Sequence, residues 1–251
     1  MSSLAPSKRE HPTNTLPSRG GLLAWFAPLV TSTIGSKVIV AITGSMLLGF
    51  VVAHMLGNLQ IFQGADKLNE YALFLKNTGP LLWVARIGLL AILLTHMLVS
   101  LSLKKRSVDA RPIGYAHENT IQATFASLTM VQTGLLIFLF ILYHLAHFTL
   151  GWTQTADGEN YLAMHDEQGR HNVYGMIVAG FSSTPISLIY IAAQAVLFIH
   201  LSHGVCSVFQ TLGLNTPRTA GLFRWLGYTV AGVIFVGNCS IVVAVWRGWI
   251  S

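Results

Sequence analysis

Charge is scarce in this chain. Only 10% of its 251 residues are Asp, Glu, Lys or Arg, where a water-soluble domain carries roughly a quarter. With 53% hydrophobic residues and a mean hydropathy of +0.58, the polar surface is too small to solvate a globule. The chain reads as an integral membrane protein. Cysteine is almost missing too: Cys206 and Cys239 both fall inside apolar runs without metal-ligand spacing, which excludes a disulfide framework. There is no dinucleotide-binding glycine fingerprint and no set of iron–sulfur cysteines. The N-terminus reads as polar and proline-rich, with no twin-arginine or cleavable signal. The formal charge of +6 is spread over short clusters beside apolar runs, a topology signal rather than a nucleic-acid footprint.

What is present is a series of long apolar runs, predicting an all-α membrane protein of five transmembrane helices. Residues 1–32 read as a cytoplasmic tail and interfacial segment, with Pro6, Pro12 and Pro17 followed by Trp25, Phe26 and Pro28. Residues 33–251 read as one five-helix domain. The expected spans are Ser36–Gln60, Leu81–Leu103, Ile121–Trp152, Ile186–Gln210 and Gly221–Trp249, each long enough for the roughly 30 Å of hydrocarbon at about 1.5 Å per residue. A partly helical connector with Asp66, Glu70 and Tyr71 follows the first span, and a long polar loop with Asp157, Glu159, Asp166 and Glu167 follows the third. Cations gather in the tail (Lys8, Arg9, Arg19, Lys37), the second connection (Lys104, Lys105, Arg106, Arg111) and the fourth (Arg218, with Arg224 just beyond). The positive-inside rule then predicts a cytoplasmic N-terminus and an outward C-terminus.

Each of the first four spans carries a histidine at membrane depth: His54, His96, His144 and His200. A buried imidazole in hydrocarbon needs a partner, and interhelical hydrogen bonding is the plain explanation for any one of them. Four at matched depths point to two sites with two ligands each, and bis-histidine haem suits such sites. With the predicted topology, His54 and His144 share the outer level and His96 and His200 the inner, about 15 Å apart. The first four spans would thus form a haem-binding bundle, since bundles build cofactor sites from facing helices. No Cys-x-x-Cys-His occurs, so the haems would be b-type.

A repeat supports this. Thr-Gly precedes the histidine by the same interval in spans one and three, Gly44 to His54 and Gly134 to His144. Glycine there would let an inner macrocycle approach the backbone, or would simply allow tight helix packing. The interval favours His144 over His147 as ligand. His147 and His203, one turn beyond His144 and His200, could bond a propionate or a quinone, or fill polar gaps.

These features resemble the single-chain, di-haem cytochrome b558-type anchor of succinate:quinone oxidoreductases, complex II of the tricarboxylic acid cycle and its fumarate reductase relatives. The likeness covers roughly residues 30–250: the Thr-Gly intervals, THMLVSLSLKKR closing span two, and HLSHGVCSVFQTLGLNTPR in span four. The interval from His200 to Gly213 selects His200 over His203. The resemblance implies a flavoprotein subunit and an iron–sulfur subunit on the cytoplasmic face of the cell's inner membrane, two haem b cofactors, and quinone as substrate, with menaquinone expected. It leaves room for a higher oligomer of the whole complex and gives no role to nucleic acid. The chain alone would perform no succinate chemistry. It departs from some fumarate reductases in having Phe198 where a proton-carrying glutamate stands.

Haem propionates need charged or hydrogen-bonded partners, for which Arg86 is the outer candidate and Ser36 and Lys37 the inner ones. An outer quinone site would use Asn58, Gln60, Asp66, Glu70 and Arg86; an inner one Ser36 and His203. The outer is preferred because Glu70 and Asp66 can exchange protons. Rival readings are the cytochrome b subunit of another quinone-linked dehydrogenase or hydrogenase, and a haem-free transporter or scaffold.

Overall fold

A computed structural model describes residues 32–110, 123–152, 155–156 and 159–251. The expected tail before residue 32, with Trp25, Phe26, Pro28 and its cations, lies outside the described residues, as do Arg111, His117 and Asp157. The described chain is helical apart from a short ladder, Thr155–Ala156 against Glu159–Asn160, and one bridge between His165 and His171.

Five helices are long and apolar enough to cross a membrane: Thr33–Gln63, Pro80–Asp109, Met130–Thr149, Thr184–Thr211 and Ala220–Trp246, here called spans one to five. Their starts follow local chemistry. The Ser32 hydroxyl caps span one by accepting from the Gly35 N–H at 3.0 Å. Pro80 and Pro185 sit in the first turns of spans two and four, where a missing N–H costs nothing. Span four stops at Gly213, whose φ of 74° is the left-handed turn that glycine adopts freely.

Two boundaries differ from expectation. The expected start of span three, Ile121, lies outside the described residues, and within them the run is not one helix: a short turn, Phe125–Leu128, breaks at Thr129 before Met130–His144 begins. The helix then widens into a π turn over Leu145–Thr149. The polar loop after span three is also not a single loop. It contains the helix Val173–Ser182, which buries Met176, Ile177 and Phe181. Ten apolar residues are too few to span a bilayer and too many to leave in water, so the segment packs on the end of the bundle.

That end is capped. The helix Ala65–Asn77, in the first connector, docks on Val173–Ser182. Asn69, 1% exposed, ties them: its amide donates to Asp166 (3.1 Å) and Asn172 (3.2 Å) and accepts from the Tyr174 N–H (3.0 Å). Arg170 bonds Asp166 at 2.6 Å and Asp66 at 2.7 Å. The densest apolar core lies just beneath, with Ile61, Leu68, Ile177, Phe181, Tyr190, Ile241 and Val245. We call this the cap end.

Within the bundle span one packs on two, four and five, and span four on three and five, while spans two and three meet at few positions. Spans four and five approach closely because Gly227 has no side chain; a Cβ there would lie 2.6 Å from the Ser202 carbonyl oxygen. Small residues serve this purpose where hydrocarbon offers no hydrophobic drive between helices.

Candidate functional site

The histidines of spans one to four lie at two levels. Toward the open end, span two brings His96 against the Thr43-Gly44 step of span one. The Thr43 hydroxyl is 3.1 Å from His96 Nδ1. Span four does the same to span three: Thr133 Oγ1 is 3.1 Å from His200 Nδ1. The glycines make room for the same rings. A Cβ on Gly44 would lie 3.0 Å from His96 Cε1, and one on Gly134 3.4 Å from His200 Cε1. Each Thr-Gly step thus seats one imidazole of the neighbouring helix.

The threonines also decide where those rings carry their proton. Thr43 gives its hydroxyl proton to the Ile39 carbonyl at 2.7 Å, and Thr133 to the Thr129 carbonyl at 2.9 Å. Each oxygen can then only accept from the imidazole, so Nδ1 of His96 and of His200 is the N–H. In a neutral ring this leaves Nε2 as a bare lone pair. Metal-bound histidines are held in this way, with the non-ligating N–H given to an oxygen behind the ring. His200 also lies within electrostatic reach of His96 and His203.

At the cap end His54 and His144 face one another, ring centres 5.8 Å apart and planes at 83°. Two imidazoles on opposite sides of one metal have ring centres roughly 6 Å apart, given bonds of about 2.0–2.1 Å to each nitrogen. His144 Nδ1 is 3.2 Å from the Tyr190 hydroxyl, which also lies 2.9 Å from His147 Nδ1. His147 is completely buried and stacks on Phe148, centroids 4.0 Å apart. His54 is exposed in the single chain and stacks on Phe50. Its Nε2 is 3.1 Å from the Asn58 amide, a contact it must exchange to ligate through that nitrogen. Among the described residues no group of three or more His, Cys, Asp or Glu side chains is placed to hold a metal, so a metal here would rest on imidazole pairs. The donor set, the ring separation and the enforced tautomers fit bis-histidine haem b.

The remaining candidates divide. Gln60 and Glu70 line a cavity of about 250 Å³ with Lys67, Tyr71 and Phe74 at the cap end. Asp66 turns instead to Arg170 and to Gln168, at 3.2 Å, and Asn58 is taken up by His54. Arg86 is exposed, with its guanidinium over the Trp83 ring at 5.2 Å. It stands ten residues before His96, about 15 Å of helix, which sets it at the level of the cap-end pair. Ser36 is buried and Lys37 exposed at the start of span one, about two turns before Thr43. A larger groove of about 630 Å³ between Met55, Leu56 and Leu59 of span one and span five is lined by apolar groups and Thr229.

Three residues with evident roles escaped the sequence reading. Thr43 and Thr133 stood beside the glycines that drew attention, and Tyr190 was passed over. Tyr190 did leave a signal: it precedes His200 by the same ten residues that separate Arg86 from His96.

Outside the membrane the cap's acid–base chemistry is settled by contact. Burial pushes the Asp166 carboxyl upward, but the Arg170 side chain, backbone N–H groups of Arg170 and Gln168, and Asn69 outweigh it. Together they hold Asp166 below the usual carboxylate range. The hydrogen bonds to Asp66 and Asp166 raise Arg170 in turn. Burial keeps His171 below the ordinary histidine value.

Comparison with protein-family models, with curated proteins and with solved structures returns no match.

Proposed function

We propose that this chain is the two-haem, cytochrome b558-type membrane anchor of a succinate:quinone oxidoreductase, carrying electrons between an iron–sulfur subunit and membrane quinone. One observation carries the reading: His96 and His200, on facing pairs of spans, are each obliged to present a bare Nε2, while His54 and His144 stand opposed one level away. Haem b bound at the two levels would supply one-electron transfer. The chain's own part is to hold the Nδ1 protons, fix the rings and exclude water. It also keeps the levels about 15 Å apart.

With the N-terminus cytoplasmic in the inner membrane, the cap end faces outward. The open end, with Lys104, Lys105, Arg106, Arg218 and Arg224 nearby, meets the flavoprotein and iron–sulfur subunits. The small cavity beside Gln60 and Glu70 suits a quinone head, with Glu70 as the group that exchanges protons; Asp66 is committed to Arg170. The anchor itself performs no succinate chemistry.

The test is purification of the native complex from membranes. Pyridine haemochrome analysis should give two haems b per chain, and mass spectrometry should identify a flavoprotein and an iron–sulfur protein as partners. Replacing His54, His96, His144 or His200 by alanine should each remove or alter one low-spin haem signal. A haem-free preparation would overturn the reading in favour of a transporter or scaffold. Hydrogenase subunits as partners would move it to another quinone-linked enzyme.

A further inference from the structure

The two ends of the bundle hold their imidazoles differently. At the open end the threonine hydroxyls reach helical carbonyls at 2.7 and 2.9 Å, which favours the Nδ1–H tautomer of His96 and His200. At the cap end a single hydroxyl stands between two imidazoles. Tyr190, 5% exposed, is 3.2 Å from His144 Nδ1 and 2.9 Å from His147 Nδ1. One hydroxyl proton cannot be given to both. When Tyr190 donates to one ring its oxygen can only accept from the other, and two neutral rings so linked carry opposite tautomers. Only the ring that donates to Tyr190 has a bare Nε2.

We propose that Tyr190 is a positioning residue that makes His144 the metal-binding imidazole and His147 its tautomeric counterpart, through a chain running from His144 Nδ1–H to the Tyr190 oxygen and from Tyr190 O–H to His147 Nδ1. The direction follows from the surroundings. His144 faces a second imidazole, His54, across 5.8 Å. His147 is wholly buried and stacked on Phe148 and Tyr143, where its ring can accept a hydrogen bond. The π turn at Leu145–Thr149 carries His147 just beyond His144 and lets both Nδ1 atoms reach one hydroxyl. Such turns recur at functional sites. The proposal explains why two histidines three residues apart supply one ligand, and it rests on the haem reading above.

The experiment uses the purified complex and compares Tyr190→Phe, His147→Asn and His147→Leu with the wild type. It records the low-spin electron paramagnetic resonance signals and the midpoint potential of each haem. An acceptor behind a ligating imidazole raises its basicity. Tyr190→Phe should therefore weaken ferric relative to ferrous binding, raise the cap-end potential and leave the open-end haem unmoved. A tenfold change in that ratio is about 59 mV for one electron. Asparagine at 147 keeps an acceptor oxygen in place of Nδ1 and should preserve the cap-end signature. Leucine removes the acceptor and should shift the signature in the same direction as Tyr190→Phe. The proposal is overturned if Tyr190→Phe leaves the cap-end signals unchanged or moves both haems together. It is equally overturned if His147→Leu abolishes the cap-end haem. Should Tyr190→Phe fail to assemble, the asparagine–leucine contrast at 147 decides, equal behaviour counting against it. A wild-type complex without haem would instead remove the functional reading on which the proposal stands.

Discussion

Gly44 and Gly134 occupy equivalent places in a repeated motif, yet the structure predicts that they tolerate alanine very differently. At Gly134 a new Cβ would rest 3.4 Å from His200 Cε1 and 3.9 Å from Nδ1, close to ordinary contact. At Gly44 it would rest 3.0 Å from His96 Cε1 and 3.5 Å from Nδ1. Carbon atoms prefer about 3.5–4.0 Å, so His96 must retreat by roughly half an ångström or more. Its Nδ1 is already 3.1 Å from Thr43, and a hydrogen bond stretched to about 3.6 Å is lost. Overpacking of this kind costs about 1–3 kcal/mol, against which both variants gain up to about 1 kcal/mol of helix propensity. Gly44→Ala should therefore deplete or broaden the open-end haem signal, while Gly134→Ala leaves it within experimental scatter. Gly49→Ala, with no atom within 4 Å of the new Cβ, is the control. The assay is the reduced-minus-oxidised spectrum with electron paramagnetic resonance of the purified complex. Equal effects at 44 and 134, or greater damage at 134, would refute the assignment of these glycines to imidazole clearance.

Other consequences are as direct. Thr43→Val and Thr133→Val remove the acceptors behind His96 and His200. Each should weaken haem retention at the open end by about 10–100-fold, read as haem loss to apomyoglobin, with the cap-end haem unaffected. Gly227→Ala should force span five away from span four, since its Cβ would sit 2.6 Å from the Ser202 backbone oxygen. The expected result is a lower melting temperature in detergent, corresponding to about 1–3 kcal/mol. Asp166→Asn should loosen the helix Ala65–Asn77 from the cap, seen as faster amide exchange there. The folded-state pKa of Asp166 is depressed, so its contribution is complete above the ordinary carboxylate value of about 3.9. It is lost as pH falls through the lowered value. The difference from wild type should be full at pH 7 and vanish in that acidic window.

The membrane character, the five spans and the histidines needed nothing beyond the sequence. Length and hydropathy act locally, and hydrocarbon tolerates only backbone that satisfies its own hydrogen bonds, so a run such as Ala220–Trp246 has one solution. The two levels were also legible, because helical rise converts intervals such as Gly44 to His54 into depth. The break at Thr129 and the helix Val173–Ser182 were not. The first is a local break in a run that length and mean hydropathy read as one helix, and the second owes its place to packing on a core drawn from four other segments.

Partnerships across helices were the part the tertiary structure decided. Nothing along the chain says that Thr43 lies behind His96, or that Arg170 pairs with Asp66. Those depend on how the elements pack, which is set by contacts between residues far apart in the chain. Tyr190 shows this best. In sequence it is one aromatic among many, at an interval that is meaningful only once span four lies against span three. In the fold its hydroxyl lies within hydrogen-bond distance of both His144 and His147. A hydroxyl can donate only once, so this contact can distinguish two histidines that in sequence only the interval from Gly134 tells apart.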